Sequence, residues 1–175
     1  FFKIENAELA NGFLDNIPYN KIKINSKYFN NNLNIDTLEF ESDIGNLDIN
    51  GNINLNISSG NPLFTPQSKI DLEMNFKDFE IQKINQYAHW KFENKGLLTG
   101  QWKMTGFANN LKITGDLLIK NPFIDKIQCK SLSGRVDYQN HQLYFSKLHL
   151  TTENGEYSGF GNIPLAFNIL NIDEF

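Results

Sequence analysis

Cysteine, arginine and long apolar runs are scarce in this 175-residue chain. Cys129 is the single cysteine, so neither an intrachain disulfide nor a cysteine-based metal site can form from this chain alone. Arg135 is the single arginine, and a net charge of −4 argues against nucleic acid as the main partner. No apolar run approaches the roughly 18 to 20 residues of a membrane helix, and residues 1–20 contain no signal peptide. We therefore expect any anchor or targeting segment to lie outside this sequence, which begins with Phe1 and which we interpret as a piece of a longer protein.

Catalytic motifs are also missing from the sequence. His89, His141 and His149 have no metal-ligand spacing among themselves, and no serine lies in a nucleophile elbow. Gly159 and Gly161 form half of a glycine-rich phosphate motif, but the apolar pattern after them is that of a strand and not of a helix. We predict that the chain is not an enzyme and that it binds no cofactor and no metal.

Alternation of apolar and polar residues is the dominant pattern. Leu47, Ile49, Ile53 and Leu55 share one phase, with polar residues between them, and residues 70–76 repeat the pattern. Such period-2 runs predict strands with one apolar and one polar face. They recur every 8 to 12 residues with asparagine-rich turns between them, as at Asn30 and at the equivalent position in a second copy. The sequence therefore predicts a mainly β fold, an antiparallel meander.

An internal repeat links the two halves of this pattern. Residues 22–55 align without a gap with residues 132–165, and nine of the 34 aligned positions are identical. Self-similarity at a fixed spacing is typical of an array built from one supersecondary unit. Because the shared positions are apolar residues, asparagines and glycines, the repeat points to a binding surface and away from a catalytic pocket.

Both copies contain the same slip in the apolar phase. The phase shifts by one residue between Ile35 and Leu38, and again between Phe145 and Leu148. A one-residue slip turns a strand over unless an extra residue bulges out. We therefore predict a β-bulge at each position and a curved sheet as the consequence.

One segment departs from alternation. Residues 78–92 have apolar residues at a spacing of three and four, with Asp78 as a candidate N-cap and Gly96 beyond the far end. We predict one short amphipathic helix over 78–92, docked at an end or an open side of the sheet.

Four stretches combine glycines with short apolar alternation: residues 96–106 (GLLTGQWKMTG), 111–119 (LKITGDLLI), 132–138 (LSGRVDY) and 159–165 (GFGNIPL). They resemble the β-rich repeat region of the TamB and AsmA-like envelope proteins. It implies a U-shaped sheet, the β-taco, whose inner face is a long hydrophobic groove. It also implies a membrane-anchored protein on the periplasmic side of the cell envelope, which carries phospholipid between the inner and outer membranes. Its implied partners are phospholipid acyl chains and, through parts outside this chain, an outer-membrane barrel protein, with roles in outer-membrane biogenesis and protein secretion in some members.

The predicted groove residues are the apolar phase of the repeat and of two central strands. They are Leu33, Ile35, Leu38, Phe40, Leu47, Ile49, Ile53, Leu55, Trp102, Met104, Leu117, Ile119, Leu143, Phe145, Leu148, Leu150, Ile163 and Leu165. Groove and closed core have the same sequence pattern, so a closed β-sandwich, an adhesin-like binding module that binds through loops such as 61–66, is the alternative. A piece of an outer-membrane barrel is disfavoured by the predicted helix and by the lack of aromatic girdles.

Overall fold

The computed structural model describes residues 2–14, 17–55, 65–83, 94–124 and 127–164. These residues form eleven β-strands in one sheet. In chain order the strands are β1 Phe2–Leu14, β2 Ile17–Phe29, β3 Asn32–Ser42, β4 Gly45–Asn54, β5 Lys69–Glu80, β6 Lys95–Phe107, β7 Asn110–Ile124, β8 Ile127–Gln128, β9 Ser131–Gln139, β10 Gln142–Thr151 and β11 Glu156–Pro164.

Each long strand pairs antiparallel with the long strands before and after it in the chain. The order across the sheet is β1-β2-β3-β4-β5-β6-β7-β9-β10-β11, and the two-residue β8 pairs with β7. In the part of the chain that the structure describes, strand contacts are concentrated between hydrogen-bonded neighbours, and no second sheet covers the first. The sheet is open and curved, so the predicted fold class, a mainly β curved antiparallel meander, is confirmed. The two packed sheets of the sandwich alternative are not what the described residues form.

The predicted bulges are confirmed in both copies of the repeat. The register between β3 and β4 shifts between Ile35 and Leu38, and the register between β10 and β11 shifts between Phe145 and Leu148. Because of each shift, the apolar residues after it return to the side of the sheet that they would otherwise leave. Such irregularities bend the strands that contain them.

The hairpin turns explain the asparagines at matched positions of the repeat. Asn30 and Asn31 join β2 to β3 with φ of 48° and 59°, and Asn140 and His141 join β9 to β10 with φ of 53° and 58°. Positive φ at both central residues defines the type I′ turn, whose twist matches that of the paired strands. Asparagine tolerates this left-handed conformation better than most side chains do.

The predicted helix over 78–92 is wrong at its beginning. β5 continues to Glu80, and Asp78 is a strand residue with φ of 52°, beside the register shift that precedes Phe79. Asp78 lies inside β5 and therefore does not cap a helix, and its backbone N–H donates to Thr99 Oγ1 at 3.2 Å. The shift keeps Phe79 on the apolar side of the sheet, opposite Leu98. Residues 81–83 are helical, and residues 84–92 lie outside the described part of the chain.

The best buried cluster lies where β5, β6 and β7 meet. Ile70 is 1% exposed and packs with Ala108 and Leu111, and Ile53 borders the group. Ser68 closes this end, because its carbonyl oxygen accepts a hydrogen bond from Ala108 N–H at 2.9 Å. The cluster anchors one end of the central strands.

Candidate functional site: the apolar face

Cross-strand pairing places the apolar residues on one side of the sheet, because residues paired directly across an antiparallel ladder point the same way. One row runs through Ala7, Ile24, Leu38, Ile49, Met74, Trp102, Gly115, Val136, Phe145 and Gly161. The next row runs through Ile4, Ser26, Ile35, Gly51, Leu72, Met104, Ile113, Tyr138, Leu143 and Ile163. We call this side of the sheet the apolar face and the opposite side the polar face.

The remaining predicted groove residues lie in rows beside these two. Leu33 pairs with Ile53, Phe40 pairs with Leu47, and Ile119 connects through Leu132 to Leu150. Leu117 pairs with Gly134, against which the Leu148 side chain packs. Leu55 follows β4 and is buried, and Leu165 lies outside the described residues. The predicted residues that the structure describes in strands therefore share one face.

Two strands contribute more to the apolar face than the sequence prediction allowed. β5 supplies Leu72, Met74 and Phe76, whose alternation was recognised but which were not assigned to the groove. β1 supplies Ile4 and Leu9, and it was not predicted as a strand at all. The sequence signal that could have identified β1 is a one-residue slip of its apolar phase, like the slips in both copies of the repeat. In the structure the register of β1 against β2 shifts between Ile4 and Ala7.

Most side chains of the apolar face are half-buried, although no described strand lies over them. Some of their cover comes from contacts with one another. The ring of Phe76 lies 4.9 Å from the indole of Trp102 and 5.6 Å from the ring of Phe79, measured between centroids. These tilted and edge-to-face contacts bring the aromatic side chains of neighbouring rows together.

Trp102 lies along the sheet and does not project from it. Its Nε1–H donates to the carbonyl oxygen of Asp116 at 3.0 Å, and its ring covers Gly115, its direct cross-strand partner. A Cβ at Gly115 would overlap the indole, so glycine is what lets the ring approach the backbone. The indole thus adds apolar surface while its one donor is satisfied.

Ser26 interrupts one row with a polar group. Its side chain is 0% exposed between Ile4 and Ile35, and its hydroxyl has no hydrogen-bond partner among the described residues. Apart from Ser26, Tyr138 in the same row and the bonded Nε1–H of Trp102, the two rows consist of apolar side chains and glycines, so recognition there depends mainly on apolar contact.

The polar face has the opposite character, with cross-strand ion pairs. Lys103 Nζ lies 3.4 Å from both Asp71 and Glu73, and hydrogen bonding to Asp71 raises the pKa of this lysine. Lys27 lies 3.0 Å from Asp36 and lowers the pKa of that carboxyl group through a hydrogen bond. These exposed charges keep the polar face hydrated, which gives the sheet one wet side and one apolar side.

A shallow depression of about 360 Å³ lies mainly on the polar face. Its lining includes Asp48, Asn50, Glu73, Gln101 and Lys103. The Lys103 ammonium is already paired with the carboxylates of β5, so the depression presents a solvated charge network and not a hydrocarbon-binding pocket.

The comparisons with known proteins add no functional assignment to the geometry of the apolar face. Within the described ranges, no three His, Cys, Asp or Glu side chains come together as a metal site, and no described helix has the length and apolarity to cross a membrane. No family model, no curated protein and no solved structure matches the chain.

Proposed function

We propose that the apolar face is a groove for phospholipid acyl chains in a protein that spans the periplasm and carries phospholipid between the inner and outer membranes. The observation that supports this most directly is the continuity of the apolar rows from β1 to β11 on a sheet with no described second layer. An apolar sheet face in water needs a cover, and a lipid tail supplies one.

The dimensions of the rows suit an acyl chain. Neighbouring strands are ~4.8 Å apart, so a row across ten strands extends about 43 Å along the sheet. The hydrocarbon core of a bilayer is ~30 Å thick and holds two layers of tails, so one row exceeds the length of a single tail. A tail lying along a row would touch several strands at once and could advance from one to the next.

The energy of transfer into such a groove requires no specific polar contact. Each buried CH₂ contributes ~0.8 kcal/mol, so a tail of about 16 carbons gains on the order of 10 kcal/mol before entropy costs. The headgroup stays in water at the edge of the groove. A face made of Leu, Ile, Val, Phe and Met, with few polar groups, is what this mode of binding uses.

The cellular setting follows the family that the sequence resembles. We propose that the chain lies on the periplasmic side of the cell envelope, anchored to a membrane through a segment outside this sequence. An outer-membrane barrel protein would be contacted through other parts of the protein. In this setting the charged polar face contacts the aqueous periplasm while the apolar face shields the lipid.

Ile49→Arg tests the groove. Ile49 is half-buried in the middle of the apolar face, between Leu38 and Met74, and outside the buried cluster around Ile70. We expect the variant to keep the circular dichroism spectrum of the wild type, because an open groove lets water reach a guanidinium. Native mass spectrometry should find phospholipid on the detergent-free wild-type protein and none on the variant.

Two further variants make the test decisive. Asn50→Arg places the same charge next in sequence on the exposed polar face and should load lipid as the wild type does. Ile163→Arg tests the far end of the groove at a side chain that is 53% exposed, so it should fold even if Ile49→Arg does not. A wild-type protein without phospholipid, or normal loading by both apolar-face variants, would refute the proposed function.

A further inference from the structure

The two edges of the sheet differ in how they are protected. Among the described residues, β11 has a strand neighbour only on its β10 side, and all nine of its residues are exposed. Phe160 is 90% exposed, Tyr157 57% and Ile163 53%. No charged residue lies between Glu156 and the end of the strand. This edge offers unpaired backbone groups and apolar side chains together.

The other edge has features that discourage strand addition. β1 carries Lys3, Glu5 and Glu8, and its backbone takes positive φ at Asn6 and Asn11. Charges and irregularities of this kind are how edge strands avoid pairing with other chains. The contrast indicates that β11, and not β1, is the edge suited to accept a strand.

The internal repeat shows what fits beside β11. β11 is the repeat counterpart of β4, and β4 is paired on its outer side by β5 without a register shift. In that pairing, Ile70 lies opposite Ile53, Leu72 opposite Gly51, Met74 opposite Ile49 and Phe76 opposite Leu47. The equivalent positions on β11 are Ile163, Gly161, Gly159 and Tyr157. β11 therefore has the residue pattern of β4, a strand whose outer edge is paired with a further strand in the first copy.

We propose that the outer edge of β11 binds an extended polypeptide segment in antiparallel register, by β-strand addition. The segment carries large apolar residues at alternating positions, as β5 does, and so extends the apolar face by one more strand. Backbone hydrogen bonds hold the segment, and its alternating side chains fix the register. The proposal does not depend on what the apolar face carries.

Two glycines make the proposed edge testable. In the first copy, a Cβ at Gly51 would overlap the carbonyl oxygen of Asp71 and lie 2.9 Å from Leu72 Cα, both on the added strand. Gly51 has φ of 131°, which side chains rarely adopt, whereas Gly161 is not among the glycines with positive φ. At Gly161, the counterpart of Gly51, no heavy atom lies within 4 Å of a Cβ, and the same is true at Gly159. The counterpart of Gly159 is Ile49, which coexists with β5.

The experiment measures binding of a dye-labelled synthetic peptide with the sequence of β5, KIDLEMNFKDFE, by fluorescence anisotropy with the full chain. We expect saturable binding that Gly161→Val weakens by at least about tenfold, because pairing as β5 pairs with β4 would require residue 161 to take the conformation of Gly51, which valine rarely adopts and in which its Cβ would meet the added backbone. Gly159→Val should stay within about threefold of the wild type. Circular dichroism should show both variants folded, since each new side chain enters open space.

The peptide supplies a second control that does not depend on the folding of a variant. A peptide with aspartate at the position of Leu72 should bind at least about tenfold more weakly. Absence of saturable wild-type binding, or equal binding by the Gly161→Val and Gly159→Val variants, would overturn the proposal. Self-association of the wild type that Gly161→Val abolishes, without peptide binding, would assign the edge to a second copy and would also overturn it.

Discussion

Gly115→Ala should destabilise the sheet by crowding the Trp102 indole and the backbone beside it. The added Cβ would overlap Cδ1 of Trp102, and it would lie 2.7 Å from Cγ of the same ring and 2.5 Å from the carbonyl oxygen of Gln101. The ring must move away from the backbone, and overpacking of this kind costs ~1–3 kcal/mol. Displacing the indole also lengthens the hydrogen bond to Asp116, which contributes about 1 kcal/mol. We expect a loss of roughly 2–4 kcal/mol in the free energy of unfolding.

The assay is thermal unfolding followed by far-ultraviolet circular dichroism. The expected loss corresponds to a decrease in Tm of roughly 4–16 °C for a chain of this size. Gly159→Ala is the matched control, because no heavy atom lies within 4 Å of its new methyl group, and it should be unchanged or up to about 1 kcal/mol more stable. In the Trp102→Ala background, Gly115→Ala should cost at least about 1 kcal/mol less. Equal effects at Gly115 and Gly159 would refute the reasoning.

Two other substitutions test the backbone and the polar face. Lys147 has φ of 52° within the β10 irregularity, so Lys147→Asn should raise the free energy of unfolding in urea by about 0.5–1 kcal/mol, whereas Lys77→Asn, in β5, should not. Since Lys27 lowers the pKa of Asp36 in the folded state, this ion pair stabilises the protein above the unfolded-state pKa and loses its effect as pH falls below about 4. Asp36→Asn should therefore lower Tm more at pH 7 than at pH 3; an equal decrease at both values would contradict the pairing.

Much of the fold could be predicted because its signals are local. Alternation fixes which residues share a face, and asparagines at Asn30 and Asn140 mark turns that need positive φ. The bulge between Ile35 and Leu38 could be predicted because an uncorrected slip would turn apolar residues toward water. In these cases the residue types and the local geometry are compatible with only one backbone conformation.

The two failures have a common physical cause. The sequence predicts an N-cap at Asp78, but in the structure this residue occupies a left-handed position at a register shift. Aspartate suits both roles, because its short polar side chain bonds easily to nearby backbone groups. β1 was missed because Asn6 and Asn11 interrupt its alternation twice within thirteen residues. In both segments pairing with a neighbouring strand decided the conformation, and that pairing is not a local property.

For the candidate site too, one part could be predicted from local sequence signals and another part could not. The apolar phase was visible in sequence, so Leu38, Ile49 and Phe145 were correctly expected to share a face. Whether a second sheet would cover that face depends on strand order, which alternation does not encode. The order of the described strands, in which each long strand pairs with its sequence neighbours, produces a single layer.

The order of the strands also means that lipid bound in the proposed groove would stabilise the sheet. Backbone hydrogen bonds join each strand to its immediate neighbours, so outside the buried cluster around Ile70 stability is carried mainly from one strand to the next. The apolar rows run across the strands, at right angles to the chain direction. An acyl chain lying in a row would contact strands that do not touch one another. Because it would bind the folded sheet and not the unfolded chain, it would stabilise the sheet more as the groove becomes more fully occupied. In the proposed function, the lipid and the sheet therefore stabilise each other. The apolar rows position the lipid, and the lipid links strands that are not hydrogen-bonded to one another.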